Sequence, residues 1–353
     1  MVLLASFRAK HEEGVIFQGK STDSECLQDC GLQSVGISQF FINDEGELGM
    51  DETQILQYFP ASLRKQIGSE DLAGAEEIRV RVRQPLEFNY RDRRVKQFGI
   101  VERTDLYAML NYMTGYSLYS LEEEIRQGFF TLEGGHRVGL CGHMSYHGTD
   151  DGERTDVLYD ISGLNIRIAR ELKGCAKELL ACLRSGRSIH NTLIFAPPGV
   201  GKTTYLRDCI RMLSAGEAGR PGLKVGVVDE RSEIAACHRG VMQNDLGPRT
   251  DVLDNCPKAI GMQMLLRSMS PDVIAVDELG GETDYEAVAH AMRTGVRILG
   301  TVHAKNRREV MEKPHMAEIL ASGDWRLARI DRGEDGLRHV FVYGKSEEGI
   351  WVN

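Results

Sequence analysis

Residues 191–204 read NTLIFAPPGVGKTT, and this run constrains the fold more than any other part of the chain. The continuous apolar stretch at 191–195 predicts a buried strand, and 203–213 predicts a helix. A glycine-bearing loop joins the two directly, which is the context a phosphate-binding loop requires. Gly199 and Gly201 let the backbone approach a ligand without a side-chain clash. Successive N–H groups can then form a nest around an anion, and the helix N-terminus adds unpaired donors and its dipole. Residues Pro198, Gly199, Val200, Gly201, Lys202, Thr203 and Thr204 are therefore the candidate nucleotide-binding set. Lys202 would place a charge near the β and γ phosphates, and the Thr203 hydroxyl could ligate Mg²⁺. Ala196 stands where such loops usually begin with glycine, which is tolerable if its φ is negative.

The sequence around this loop supports an α/β architecture. Short apolar strands are expected at 224–228, 273–276 and 297–301, with helices at 254–269 and 283–294. Alternation of that kind predicts a mostly parallel sheet covered by helices on both faces, and 337–352 reads as an edge hairpin. Two of the strands end in acids. DVIAVDEL at 272–279 ends in Asp277 and Glu278. An aspartate so placed holds Mg²⁺, and a neighbouring glutamate can deprotonate the attacking water. The strand at 224–228 runs into Asp229-Glu230-Arg231, which makes Glu230 a rival to Glu278 as base. His303, just beyond the strand at 297–301, is placed to meet the γ phosphate or the water. Asp277 and Thr203 are the candidate metal ligands; Glu278, Glu230, His303 and Lys202 are the candidate catalytic residues.

The first half reads differently. Residues 50–68 have amphipathic helical spacing, carried by Ile55, Leu56, Phe59, Leu63 and Ile67. Residues 77–82 alternate as a half-buried strand, with Arg79, Arg81 and Arg83 on the outer face. A helix is expected at 104–113 with Thr104 as N-cap, and another at 117–128. Two strands around a Gly134-Gly135 turn are expected over 129–144, a polar loop at 147–156 and a strand at 161–168. Helical spacing at 171–185 suggests a connector. The expected organisation is a smaller α/β domain over 1–170 (motif-free through residue 50), a connector at 171–190 and the phosphate-loop domain over 191–353.

Composition narrows the function. The chain has 353 residues and a formal net charge of −9, which argues against a free-standing nucleic-acid binder. Its eight cysteines contain no C-x-x-C pair, so reduced thiols are expected rather than a zinc site. No stretch is long and apolar enough to span a membrane. The expectation is a cytoplasmic protein that reaches a membrane only through partners.

Four motifs in this order, APPGVGKTT, VVDERSE, VIAVDELG and GTVHA, resemble those of the type II and type IV secretion ATPases, whose core is a RecA-like P-loop ATPase domain. Longer runs resemble the stage III sporulation protein AA family of endospore formers. They are NDLGPRTDVLDNCPKAIGMQMLLRSMSPDVIAVDELG, YSLEEEIRQGFFTLEGGHRVGLCG and ISGLNIRIARELKGCA, and the resemblance covers residues 76–304. It implies an ATPase using ATP and Mg²⁺, assembled as a homohexamer in the mother cell. It implies membrane-protein partners in a secretion-like channel complex. It also implies that an arginine of the first domain or of a neighbouring subunit reaches the nucleotide; candidates are Arg79, Arg81, Arg83, Arg167, Arg170 and Arg249. Two other readings of the same core stay open: a nucleic-acid-dependent ATPase, with the 79–83 strand as contact face, and a scaffold that binds nucleotide without turnover.

Overall fold

The computed structural model describes residues 52–117, 122–126, 128–148, 154–217, 219–333, 337–344 and 349–352. The motif-free stretch before residue 50 lies outside them.

The first half folds around a six-stranded antiparallel sheet. Its strands are β1 (Ala75–Arg81), β2 (Pro85–Tyr90), β3 (Val95–Ile100), β4 (Phe129–Thr131), β5 (Arg137–Gly148) and β6 (Arg154–Arg167), in the order β3-β2-β1-β6-β5-β4. Alternation sorts its faces as expected. Ile78 and Val80 are fully buried, packed with Phe88, Leu106, Met109 and Ile166, while Arg79 and Arg81 stay on the other face. Helix α1 (Arg103–Thr114) covers the buried side. It starts one residue before Thr104, with Glu102 at the N-cap, because the Asp105 carboxylate accepts the Glu102 N–H at 3.0 Å.

Two helical expectations here were too long. The 50–68 helix is broken into a 3₁₀ turn (Glu52–Tyr58) and a short helix (Ala61–Arg64), since Pro60 lacks the N–H that continuity needs. Of the 117–128 helix, the described part is α2 (Glu122–Arg126). The 171–185 helix shrinks to α3 (Lys177–Leu183), because Gly174 turns the chain with φ +86°. The polar loop at 147–156 is shorter than expected, since β5 continues to Gly148 and β6 begins at Arg154.

The second half is an eight-stranded sheet. Its strands are β7 (Asn191–Ala196), β8 (Val225–Asp229), β9 (Thr250–Asp254), β10 (Val273–Val276), β11 (Arg297–His303), β12 (Trp325–Arg332), β13 (Arg338–Tyr343) and β14 (Gly349–Val352). The order is β9-β8-β10-β11-β7-β12-β13-β14; the first six are parallel, and β13 and β14 are antiparallel. Every residue of β7, β8 and β10 is buried, as the continuous apolar runs require of strands covered on both faces. Helix α4 (Lys202–Ala215) supplies Leu206, Ile210 and Leu213 to one face. Helices α5 (Lys258–Ser268) and α6 (Glu282–Arg293) supply Met262, Leu265, Val288 and Ala291 to the other. Each such aliphatic side chain contributes roughly 1.5–3 kcal/mol by leaving water.

Two glycines set how closely α5 approaches the sheet. A Cβ on Gly226 would lie 2.9 Å from Leu265, and one on Gly261 would lie 2.5 Å from Val228. This contact seats the start of α5 beside the end of β8. The 254–269 helix therefore begins only at Lys258, and residues 250–254 form the edge strand β9 instead.

The order separates both acids from the strand that carries the phosphate loop. Neither acid-bearing strand touches β7. Strand β11 lies between β7 and β10, and β8 lies beyond β10.

Candidate active site

All the candidate residues stand at the carboxyl edge of the parallel strands, where open α/β sheets bind their ligands. Ala196 ends β7 fully buried, in register with His303 on β11. It has no positive φ, so it keeps strand geometry and its methyl group is accommodated. The chain then turns through Gly199 (φ +76°) and Gly201 (φ +114°) into α4.

Lys202 is 5% exposed and opens α4. Its Nζ donates to His303 Nδ1 at 2.9 Å. A lysine ammonium has only donors, so Nδ1 must accept and the ring proton sits on Nε2. Nε2 then donates to Glu278 Oε1 at 2.6 Å. The other oxygen, Oε2, accepts from Arg231 at 2.9 Å. Burial pushes the Lys202 ammonium down, against the pull of the Asp277, Glu278 and Glu233 carboxylates. Burial also pushes Glu278 up, but the His303 hydrogen bond and the Arg231 and Lys202 charges outweigh it, so its carboxyl stays below the ordinary range.

A second chain of contacts runs beside the first. Thr203 Oγ1 donates to Asp277 Oδ2 at 2.7 Å, which joins the two candidate metal ligands. Thr301 Oγ1 donates to Asp277 Oδ1 and accepts the Glu278 N–H at 2.9 Å. Glu278 has φ +52°, an uncommon value for a non-glycine residue, and the Leu279 N–H bond to Thr301 O helps to hold it. Thr203 and Asp277 fit a magnesium ion, which takes one or two carboxylates together with phosphate and water oxygens. Among the described residues no group of three or more His, Cys, Asp or Glu is gathered as a cage.

Glu230 is placed differently. Lys258, at the start of α5, pairs with its Oε2. It still shares an open cavity of ≈ 240 Å³ with Asp229, Arg231, Glu233, Lys258, Asp277 and Glu278.

Three residues here had escaped notice as functional candidates. Thr301 is fully buried and reads in sequence as one more strand residue. Arg231 reads in sequence as one more charge after the strand, yet it bonds Glu278. Asp229 is 2% exposed and accepts the N–H groups of Glu233, Ile234 and Ala235. Burial pushes its carboxyl up to about 6 in spite of those donors. The segment so held also meets the first sheet: Arg137 pairs with Glu233 at 2.9 Å, and the Gly134 N–H donates to Gln243 at 2.9 Å. Of the arginine candidates, Arg79 pairs with Glu77, Arg81 with Glu87, and Arg170 donates to the Ala75 carbonyl. Arg137, from the first sheet, instead pairs with Glu233, which lines this cavity.

Thr301 tests how much this second chain matters. Thr301→Val keeps shape but leaves the Glu278 N–H with only Asp277 Oδ1, at 3.2 Å, as acceptor, a loss of about 0.5–1.5 kcal/mol. Turnover is expected to fall more than nucleotide affinity, which steady-state kinetics beside a binding titration would check.

A parallel sheet with a glycine loop at one strand end and acids at the ends of the second and third strands beyond it defines the RecA-like phosphate-loop fold. The pilus retraction motor PilT, solved with bound ADP, shares that fold with a TM-score of 0.52 and 16% identity, covering 77% of this chain and 80% of PilT. The family described as "Sporulation stage III, protein AA" matches residues 50–332, and the chain belongs to that family. The Stage III sporulation protein AA of Bacillus subtilis (strain 168) is 39% identical over 282 residues, covering 79% of this chain and 89% of that protein. The family match starts earlier and runs further than the 76–304 resemblance read from the sequence.

Proposed function

We propose that this protein hydrolyses ATP with Mg²⁺ and works as a homohexameric ring that powers a secretion-like channel during endospore formation. The observation that carries this reading is the unbroken contact chain Lys202–His303–Glu278–Arg231 beside Thr203–Asp277–Thr301. It gathers a cation for phosphate, oxygens for a metal and a carboxylate for water at one strand edge. Family membership and the relative's name support the sporulation context, and the PilT likeness supports the fold of a motor.

The roles follow from position. The loop from Pro198 to Thr204 takes the phosphates, with Lys202 as the charge opposite the β and γ groups. Thr203 and Asp277 would hold Mg²⁺, which would supply positive charge against the phosphates. Glu278 accepts the proton of the attacking water, once Arg231 or His303 yields one of its two oxygens. His303 reports phosphate arrival, because Lys202 cannot serve both the imidazole and the nucleotide fully. Glu230, tied to Lys258, is the second choice as base.

No helix among the described residues is long and apolar enough to cross a membrane. We place the protein in the cytoplasm, with membrane proteins as the partners that carry it to a membrane. Pairing of Arg79 and Arg81 with Glu77 and Glu87 neutralises the face that a nucleic acid would use. DNA or RNA titrated into the turnover assay is accordingly expected to change the rate by less than about twofold. Strong stimulation that falls steeply with salt would favour the nucleic-acid reading instead. The ring is tested by mass in solution with and without ATP: six protomers are expected with nucleotide, and a strict monomer under all conditions contradicts the motor.

A further inference from the structure

We infer that Arg338, the first residue of the C-terminal hairpin strand β13, is a positioning residue of the nucleotide site that orients the Val200–Gly201 peptide of the phosphate loop. The inference rests on the nucleotide reading above and adds a part from outside the family match, which ends at residue 332.

The topology brings Arg338 there. Strand β12 runs parallel to β7, so both end at the same edge of the sheet. Strand β13 returns antiparallel, with Arg338 opposite Arg332 and the Gly333 N–H bonded to Leu337 O at 2.8 Å. The hairpin end therefore stands beside the phosphate loop.

The contact is specific. Arg338 Nε donates to the Val200 carbonyl at 2.9 Å, in a partly buried setting. The guanidinium also packs directly on Gly201, where a Cβ would lie 2.9 Å from Nε and 3.2 Å from Cζ. Gly201 is thus required twice, for its φ of +114° and for the space the guanidinium fills. Among the described residues no carboxylate forms an ion pair with Arg338. Its guanidinium carries a positive charge. It is felt nearby at Cys175 and Tyr205, where burial pushes both groups up to about 12 and Arg338 opposes that rise.

The consequence follows from peptide geometry. The Val200 C=O and the Gly201 N–H belong to one planar trans peptide and point in opposite directions. Fixing the carbonyl on Arg338 fixes the N–H on the opposite side of the peptide, as a donor for phosphate. A charge-assisted bond to the carbonyl is a strong way to do so. Arg338 also adds a second positive charge to the one supplied by Lys202.

The test uses the full chain and Mg-ATP. Arg338→Ala is expected to raise Kd and KM roughly tenfold, or about 1.4 kcal/mol, with kcat changed by less than about twofold. Its thermal midpoint without nucleotide should match the wild type. Arg338→Lys, which keeps a charged donor, should recover most of the lost affinity. If Arg338→Ala does not fold, Arg338→Gln is measured in its place with the same outcomes. Undiminished ATP affinity in the tested variant overturns the inference alone. So does a loss confined to kcat, or one not rescued by lysine. A wild-type protein that binds no ATP overturns the functional reading itself.

Discussion

Lys202→Ala is expected to abolish ATP binding over the micromolar range, a loss of at least about 100-fold in affinity. Lys202 is 5% exposed and stands at the head of α4, so its charge sits in a partly dry setting where it counts for more than at a surface. Truncating one partner of such a charge pair costs about 2–5 kcal/mol, and about 2.7 kcal/mol is already 100-fold. The substitution should not unfold the protein, because Lys202 is tied to one partner, His303, rather than to the core. Titration calorimetry of wild type and variant, with a thermal midpoint for each, would check both statements. An unchanged Kd would remove Lys202 from the phosphate site.

Glu278→Gln is expected to bind ATP normally and to lose turnover by roughly 100- to 10,000-fold, the usual contribution of a positioned general base. Glutamine keeps the length of the side chain and one acceptor oxygen. Its amide nitrogen, however, must meet a donor, since His303 and Arg231 hold the two carboxylate oxygens. The variant cannot accept a proton from water. Kinetics under saturating ATP separate the effect from binding. Normal turnover in Glu278→Gln would pass the role to Glu230, which lines the same cavity from the end of β8.

Much of the second sheet could be read in sequence because its strands are buried on both faces and therefore continuously apolar. The runs at 191–195, 273–276 and 297–301 each became a strand, and the loop after the first became the turn into α4. Strand β12 was missed for the opposite reason. WRLARIDR carries three arginines and an aspartate, and neighbours distant in sequence or two residues away pair with two of the arginines. Arg329 pairs with Asp331, and Arg326 reaches Asp324 and His190. Only tertiary pairing makes that segment a strand next to β7. Strand order was not legible either, since it depends on which apolar runs pair across long separations. The site was half legible. Lys202, Thr203, Asp277, Glu278 and His303, which stand together at one strand edge, could be nominated because each ends a strand, follows one or opens a helix. Thr301 was hidden inside its strand, and Arg338 lies 138 residues from the carbonyl it bonds, a separation no local pattern can bridge.

The central claim is that this strand edge hydrolyses ATP with a metal held by Thr203 and Asp277. Phosphate release from ATP by the purified full chain, followed in Mg²⁺ and again after chelation, tests it most directly. The account predicts steady release in Mg²⁺ that chelation stops and Mg²⁺ restores. ATP bound tightly with no release, in Mg²⁺ and with its membrane partners present, would contradict it.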